Sequence, residues 1–346
     1  MTCSRLAESR VQGNPGRRCV SSASMMPRVV LRPPRIPGDY PELARILTAA
    51  FPAWPVSAEE LAGADRKRSA RLHRKTVAEL ADGRLAGYGF FEVPNVAAAP
   101  GRLRIRIIID PALLGQGIGA ALYEAIEGEA SAHCARELVT EAFADHPRAH
   151  RFLDVRGFRE YHRRIDSTLT LAQVEAQRIA QAIDEHTDRF FPTAIVIASY
   201  RQMIGACSNA PRRLYEIFST LWEDVPFGIP GPHLDFEAFV VEELDENNFV
   251  PAGTMVALDG DRWVGLAALG RGAGFLFASM TGTVRDWRGR GLARWLKLHT
   301  IRYALDAGSA ELRTINDATN PAILALNRSL GFKSTAIDVR YRKDLS

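Results

Sequence analysis

Residues recur in this chain at an offset of 174, and that recurrence limits the fold more than any single motif does. Gly117 pairs with Gly291 and Gly157 with Gly331. The same gapless register pairs Pro147 with Pro321, Glu137 with Glu311, Leu138 with Leu312, Thr140 with Thr314 and Phe158 with Phe332. An offset this long is a duplicated domain rather than a solenoid period. A chain of 346 residues has room for two such copies, each able to bury its own core.

Hydrophobic periodicity predicts one order of elements, met twice. In the first half it gives a strand over 29–32, helices over 38–51 and 58–66, and strands over 72–80 and 84–92 about the Asp82-Gly83 turn. A strand over 102–109, a helix over 119–132, a strand over 137–143, a helix over 147–155 and a strand over 158–169 complete it. The second half runs through a strand over 194–198, helices over 212–222 and 236–243, and a hairpin at Asp259-Gly260. It ends with a strand over 275–284, a helix to Ala307, a strand over 311–316, a helix over 321–329 and a strand over 332–342. The expected class is α/β, of the α+β kind. Its two domains are 27–170 and 187–346, joined by a linker helix within 171–186. Residues 1–26 have no periodicity and are read as a disordered or mis-annotated N-terminus without a structural role.

Charge and cysteine content remove several function classes. Lys and Arg total 44 against 40 Asp and Glu, a net of +4, and the arginines are scattered rather than striped, so no nucleic-acid partner is expected. There is no apolar run of about 18 residues and no secretory leader, which points to a cytoplasmic protein without a membrane partner. The four cysteines form no C-x-x-C pair, and no His/Cys cluster has zinc spacing, so neither a disulfide scaffold nor a metal is expected. A homo-oligomer is left open.

The sharpest motif is Trp287-Arg288-Gly289-Arg290-Gly291-Leu292-Ala293, which comes after a strand and opens a helix. Glycines there let the backbone approach a ligand and aim successive N–H groups at one spot, and a helix N-terminus favours a pyrophosphate. Arg288 and Arg290 would add charge-assisted bonds. The first copy keeps Gly115, Gly117 and Gly119 but has Leu114 in place of Arg288, Ala142 in place of Asn316, and His146 in place of Asn320. Gly115 to Ala120 also fits the dinucleotide pattern G-x-G-x-x-G/A, with Glu137 downstream. That reading is disfavoured, because residues 110–114 separate the strand from the loop and Arg294 stands where the duplicate needs a small residue.

Arg288, Gly291 and Ala293, with Asn316, Asn320 and the closing Leu330-Gly331-Phe332, resemble the GNAT acetyltransferase superfamily, strongly over 187–346 and more weakly over 27–170. The resemblance implies two GNAT-like domains, each a mixed, splayed central sheet flanked by helices, with acetyl-coenzyme A as co-substrate. Cofactor contacts are then expected from Val284, Arg288, Gly289, Arg290, Gly291, Leu292, Ala293, Asn316 and Asn320, and in the first copy from Gly115, Gly117 and Gly119. Direct acetyl transfer to a small-molecule primary amine is implied. A protein N-acetyltransferase and a non-catalytic coenzyme A-binding module are the alternatives. The Val284 N–H is expected to hold the oxyanion, and Thr281 and Thr283 to hold a relay water. Candidate bases are Glu223, Asp224, His233 and Asp235. Asn327 and Leu153 occupy the place of the family's tyrosine acid, and neither donates as a tyrosine does.

Overall fold

A computed structural model describes residues 29–68, 71–94, 98–226, 228, 235–245 and 248–345. Residues 1–26 and His233 lie outside that range. The first half contains β1 (Val29–Arg32), α1 (Tyr40–Ala50), α2 (Ala58–Arg68), β2 (His73–Leu80), β3 (Leu85–Glu92), β4 (Arg102–Ile109), α3 (Ile118–Ala132), β5 (Glu137–Phe143), α4 (Pro147–Asp154) and β6 (Arg159–Thr170). The second contains α5 (Ala176–Phe190), β7 (Ile195–Ser199), α6 (Tyr200–Ala206), α7 (Ala210–Trp222), α8 (Phe236–Glu243), β8 (Met255–Asp259), β9 (Arg262–Gly272) and β10 (Phe275–Thr283). It closes with α9 (Leu292–Asp306), β11 (Glu311–Asp317), α10 (Pro321–Ser329) and β12 (Lys333–Asp344).

The strands form one sheet in the order β1-β2-β3-β4-β5-β12-β6-β11-β10-β9-β8-β7. Each half begins as an antiparallel meander and then adds a parallel strand. The last strands are exchanged. β12 pairs with β5 of the first half, and β6 pairs with β11 of the second. The exchange covers what would be exposed edges on β5 and β11, so the two copies share a continuous sheet.

Both parallel pairs splay. β4 and β5 are in register only from Arg102 to Arg104, and β10 and β11 only at Leu276 and Phe277. Thr314 Oγ1 donates to the Ala278 carbonyl at 2.9 Å and closes the narrow end of the second opening. β10 is bulged against β9 between Ala278 and Met280, whereas β4 pairs with β3 without a shift. A bulge inserts one residue into a strand and re-aims the residues beyond it.

Helices cover the sheet through apolar stripes. On α3, Leu122, Tyr123, Ile126 and Ala130 are buried, and on α9 Trp295, Leu296, Leu298 and Ile301. Each such side chain stabilises the fold by roughly 1.5–3 kcal/mol relative to exposure. The linker helix runs longer than its periodicity suggests. Phe190 stacks on Trp295 at 5.1 Å with planes 6° apart, and this anchors the end of α5 to α9. The short α6 escapes periodicity, yet Ser199 and Gln202 form a full capping box at its start. Among the described residues no helix is long and apolar enough to cross a membrane.

Candidate active site

Backbone polarity around the second opening is set by one hydrogen bond. Val284 N–H donates to the Val264 carbonyl at 2.9 Å, so the amide expected to hold an oxyanion is already engaged with β9. Antiparallel strands alternate the edge that each residue's polar groups face. Gly282 and Met280 therefore also bond β9, and the N–H groups of Thr281 and Thr283 face the gap toward β11. The Thr283 carbonyl confirms the alternation, since it accepts from Arg288 Nε at 3.3 Å on that side. The donors available to a thioester are thus the Thr281 and Thr283 amides.

The glycine loops have the geometry that their sequence demands. Gly289 and Gly291 take φ of 70° and 90°, and Gly115 and Gly117 take 82° and 83°, all in the left-handed region. Gly291 and Gly117 are the N-caps of α9 and α3. A Cβ on Gly289 would meet nothing within 4 Å, so there is room at the loop for a phosphate. Leu292 is buried in the core, so only its backbone is offered to a ligand, and Ala293 sits in the first turn beside it. On Gly291 a Cβ would lie 3.3 Å from Arg189 Nη1, so α5 brings a cation to the loop. On Gly115 it would lie 3.4 Å from Arg148 Nη1. On Gly119, in the first turn of α3, a Cβ would lie 3.6 Å from the Phe152 ring and 3.7 Å from Ile109, ordinary contact distances.

The two motif arginines are held away from the loop. Arg288 pairs with Asp224, and Arg290 lies over the Trp287 ring at 4.7 Å. Burial opposes ionisation of Asp224, but hydrogen bonds from Arg288 and Arg285 outweigh it and hold the carboxyl below its ordinary range. Removing the Asp224 charge frees Arg288 and lifts a repulsion at the loop mouth. Asp224→Asn is expected to tighten coenzyme A binding about fivefold, an effect of the size seen for half-exposed pairs. Titration calorimetry at low and high salt checks this, and the gain should shrink with salt.

Beyond the opening lies a cavity of about 1120 Å³. Met280 and Thr281 of β10 and Asn316 of β11 form one side, and Glu243 of α8 with Trp54 and Lys67 of the first half form another. Salt bridges Lys67–Asp245 at 2.7 Å and Arg71–Glu242 at 2.9 Å tie the first half to this wall. Trp54 meets Phe275 edge-on at 5.1 Å. Burial raises the pKa of Glu243, the neighbouring Glu242 adds to the effect, and Lys67 offsets part of it. Of the bases expected from sequence, Asp224 is taken by the two arginines, Asp235 caps α8 through Ala238 N–H, and Glu223 is exposed at the end of α7. Glu243 has no motif around it in the sequence, and part of its surroundings, Lys67 of α2, comes from the other half. Asn320 also lines the cavity, with its side chain capping α10.

The first opening is furnished differently. Arg104 and Arg106 of β4 face Glu141 of β5. Arg106 lies 3.7 Å and Arg340 3.5 Å from the Glu141 carboxylate. Burial opposes the charge on Glu141, yet the surrounding arginines hold its pKa down to about 2. Ion pairs thus span β4, β5 and β12 where the first pair of strands splays.

Beneath the second opening runs a buried polar chain. Lys297, 1% exposed, donates to Asn327 Oδ1 and lies 4.7 Å from the Phe332 ring centre. Asn327 Nδ2 donates to Asn316 Oδ1 at 2.6 Å. Burial alone pushes the Lys297 ammonium down to about 7. Asn327 is 2% exposed and reaches the cavity only through Asn316. No cluster of metal-binding side chains occurs among the described residues.

Two splayed parallel pairs, each leading into a left-handed glycine loop at a helix N-terminus, define a tandem GNAT fold. Residues 40–158 match the model of the acetyltransferase (GNAT) family. The match falls on the first half, which keeps the glycines and Gly157-Phe158 although it lacks the arginine. A mycothiol acetyltransferase from Clavibacter sepedonicus is 26% identical over 253 residues, 72% of this chain and 75% of that protein. A tandem GNAT protein from the clavulanic acid biosynthesis pathway superposes with a TM-score of 0.70 at 17% identity, covering 92% of this chain and 98% of that one. A GCN5-related N-acetyltransferase from Sphaerobacter thermophilus gives 0.65 at 20% identity, covering 91% and 95%. The sequence relatives support acetyl transfer as the reaction class.

Proposed function

We propose that the second half transfers an acetyl group from acetyl-coenzyme A to a primary amine of a small molecule, while the first half walls the acceptor cavity. The observation that carries this reading is the cavity joining the β10–β11 opening to Glu243. A concave space of that size, walled by both halves, suits a small acceptor better than a flat protein surface. The pyrophosphate is assigned to the Gly289–Gly291 loop, the thioester carbonyl to the Thr281 N–H, and the amine to the cavity. An amine attacks only when neutral, and Glu243, raised by burial, is the base nearest in kind to that task.

A non-catalytic coenzyme A-binding module is the second reading, favoured by Asn327 in the tyrosine's place. Thioester consumption against an amine panel decides between them. A carboxyl with a raised pKa is a base only above that pKa, so kcat/KM should rise with pH through an inflection above the ordinary carboxylate range. Glu243→Gln is expected to remove the inflection and lower kcat about 100-fold. A pH profile unchanged in Glu243→Gln would transfer the role to another group, and no thioester consumption with any amine would favour the binding module.

A further inference from the structure

The chain Lys297–Asn327–Asn316 has a direction. Lys297 Nζ donates to Asn327 Oδ1, which an amine does whether or not it carries its extra proton, so the atom of Asn327 that meets the lysine is its oxygen. That leaves the Asn327 amide nitrogen to face Asn316, which must therefore present its own oxygen to it. Asn316 Nδ2 is then the free end of the series. It has no hydrogen-bond partner among the described residues, and Asn316 lines the cavity on the strand that splays from β10. The first half has nothing comparable, since Tyr123, Leu153 and Ala142 stand at the three matching positions.

We propose, on the reading that coenzyme A binds in the second opening, that Asn316 Nδ2 hydrogen-bonds the coenzyme A sulfur as it departs. Asn316 is then a catalytic residue, and Asn327 and Lys297 are positioning residues that fix which way the amides point. In the step concerned the amine nitrogen bonds to the thioester carbon, and the carbon–sulfur bond breaks with its electron pair passing to sulfur. The amine proton goes to Glu243. The Asn316 donor stabilises the thiolate until solvent returns a proton to it. The relay does what a tyrosine hydroxyl would do at the same end of the opening, but it stabilises the anion instead of protonating it.

A cysteine thiol ionises at about pH 8.5, and the free coenzyme A thiol is titrated beside the complex as its own reference. The full chain is first tested for coenzyme A binding by calorimetry, and the bound thiol is then titrated by its thiolate absorbance. The wild-type complex should titrate about one unit below the free thiol, which is a tenfold stabilisation of thiolate. Asn316→Ala should return the bound value to that of the free thiol and lower kcat about tenfold, with KM for acetyl-coenzyme A unchanged. Lys297→Met should give a smaller shift in the same direction, because the amides lose their fixed direction. Asn316→Asp keeps the shape but replaces the donor with an anion, so its bound thiol should titrate above the free one. That variant serves if the alanine form does not fold by circular dichroism. Equal bound-thiol values in wild type and Asn316→Ala, at equal coenzyme A affinity, overturn the relay. Absence of coenzyme A binding by the wild type overturns the functional reading itself.

Discussion

Gly291→Glu is expected to weaken acetyl-coenzyme A binding about 100-fold or more, an effect of about 3 kcal/mol, and to abolish turnover. Gly117→Glu is expected to leave turnover within about twofold of wild type, because the proposed chemistry lies in the other half. The two substitutions share a control. Gly117 and Gly291 have φ of 83° and 90° and both cap a helix, so backbone strain is the same in each. The difference lies in the loop's task. A carboxylate at 291 sits where the pyrophosphate is assigned and within reach of Arg189, so it neutralises that cation and repels the ligand. Calorimetry and steady-state kinetics on both variants check the outcome. If Gly117→Glu stops turnover and Gly291→Glu spares it, the first half is the enzyme, in keeping with the half that the family model matches.

The glycine loops and the repeat were readable from sequence because they are local. A glycine at positive φ before a helix leaves a fixed signature, and so does a gapless offset of identical residues. The splay came from the family resemblance, and the short registers of β4–β5 and β10–β11 bear it out. The exchange of β6 and β12 was not readable. Both are long alternating strands, and which half each one joins is decided by pairing across more than a hundred residues. Val284 failed as the oxyanion donor for a related reason. The edge that a backbone N–H faces depends on pairing register, which hydrophobic pattern does not report. Lys297 did leave a signal. It stands beside Trp295, Leu296 and Leu298 on a helix that is buried over much of its surface, and that crowding of apolar neighbours is the signal, set against the general rule that lysines stay exposed.

That lysine also sets function against stability. A fall in its pKa from 10.5 to about 7 on folding means that the folded protein tolerates the ammonium poorly, at a cost of several kcal/mol below pH ~7. Lys297→Met removes the charge and keeps the volume. It leaves Asn327 Oδ1 without its donor, which costs about 1–3 kcal/mol, less than the charge did. The variant is expected to melt several degrees above wild type at pH 6 while its kcat falls by less than the about tenfold expected of Asn316→Ala. The sign of the pH dependence comes from the lowered folded-state pKa. Between about pH 7 and 10.5 the unfolded chain binds the proton and the folded one does not, so wild type gains stability as pH rises through that window. The variant's advantage should therefore shrink from pH 6 to pH 9. Melting curves across that range, paired with thioester assays, check both halves of the expectation. A variant that melts below wild type at pH 6 would mean that the ammonium is held by more than Asn327 and the Phe332 ring. A variant that melts higher with full turnover would leave Lys297 a packing residue and remove it from the relay.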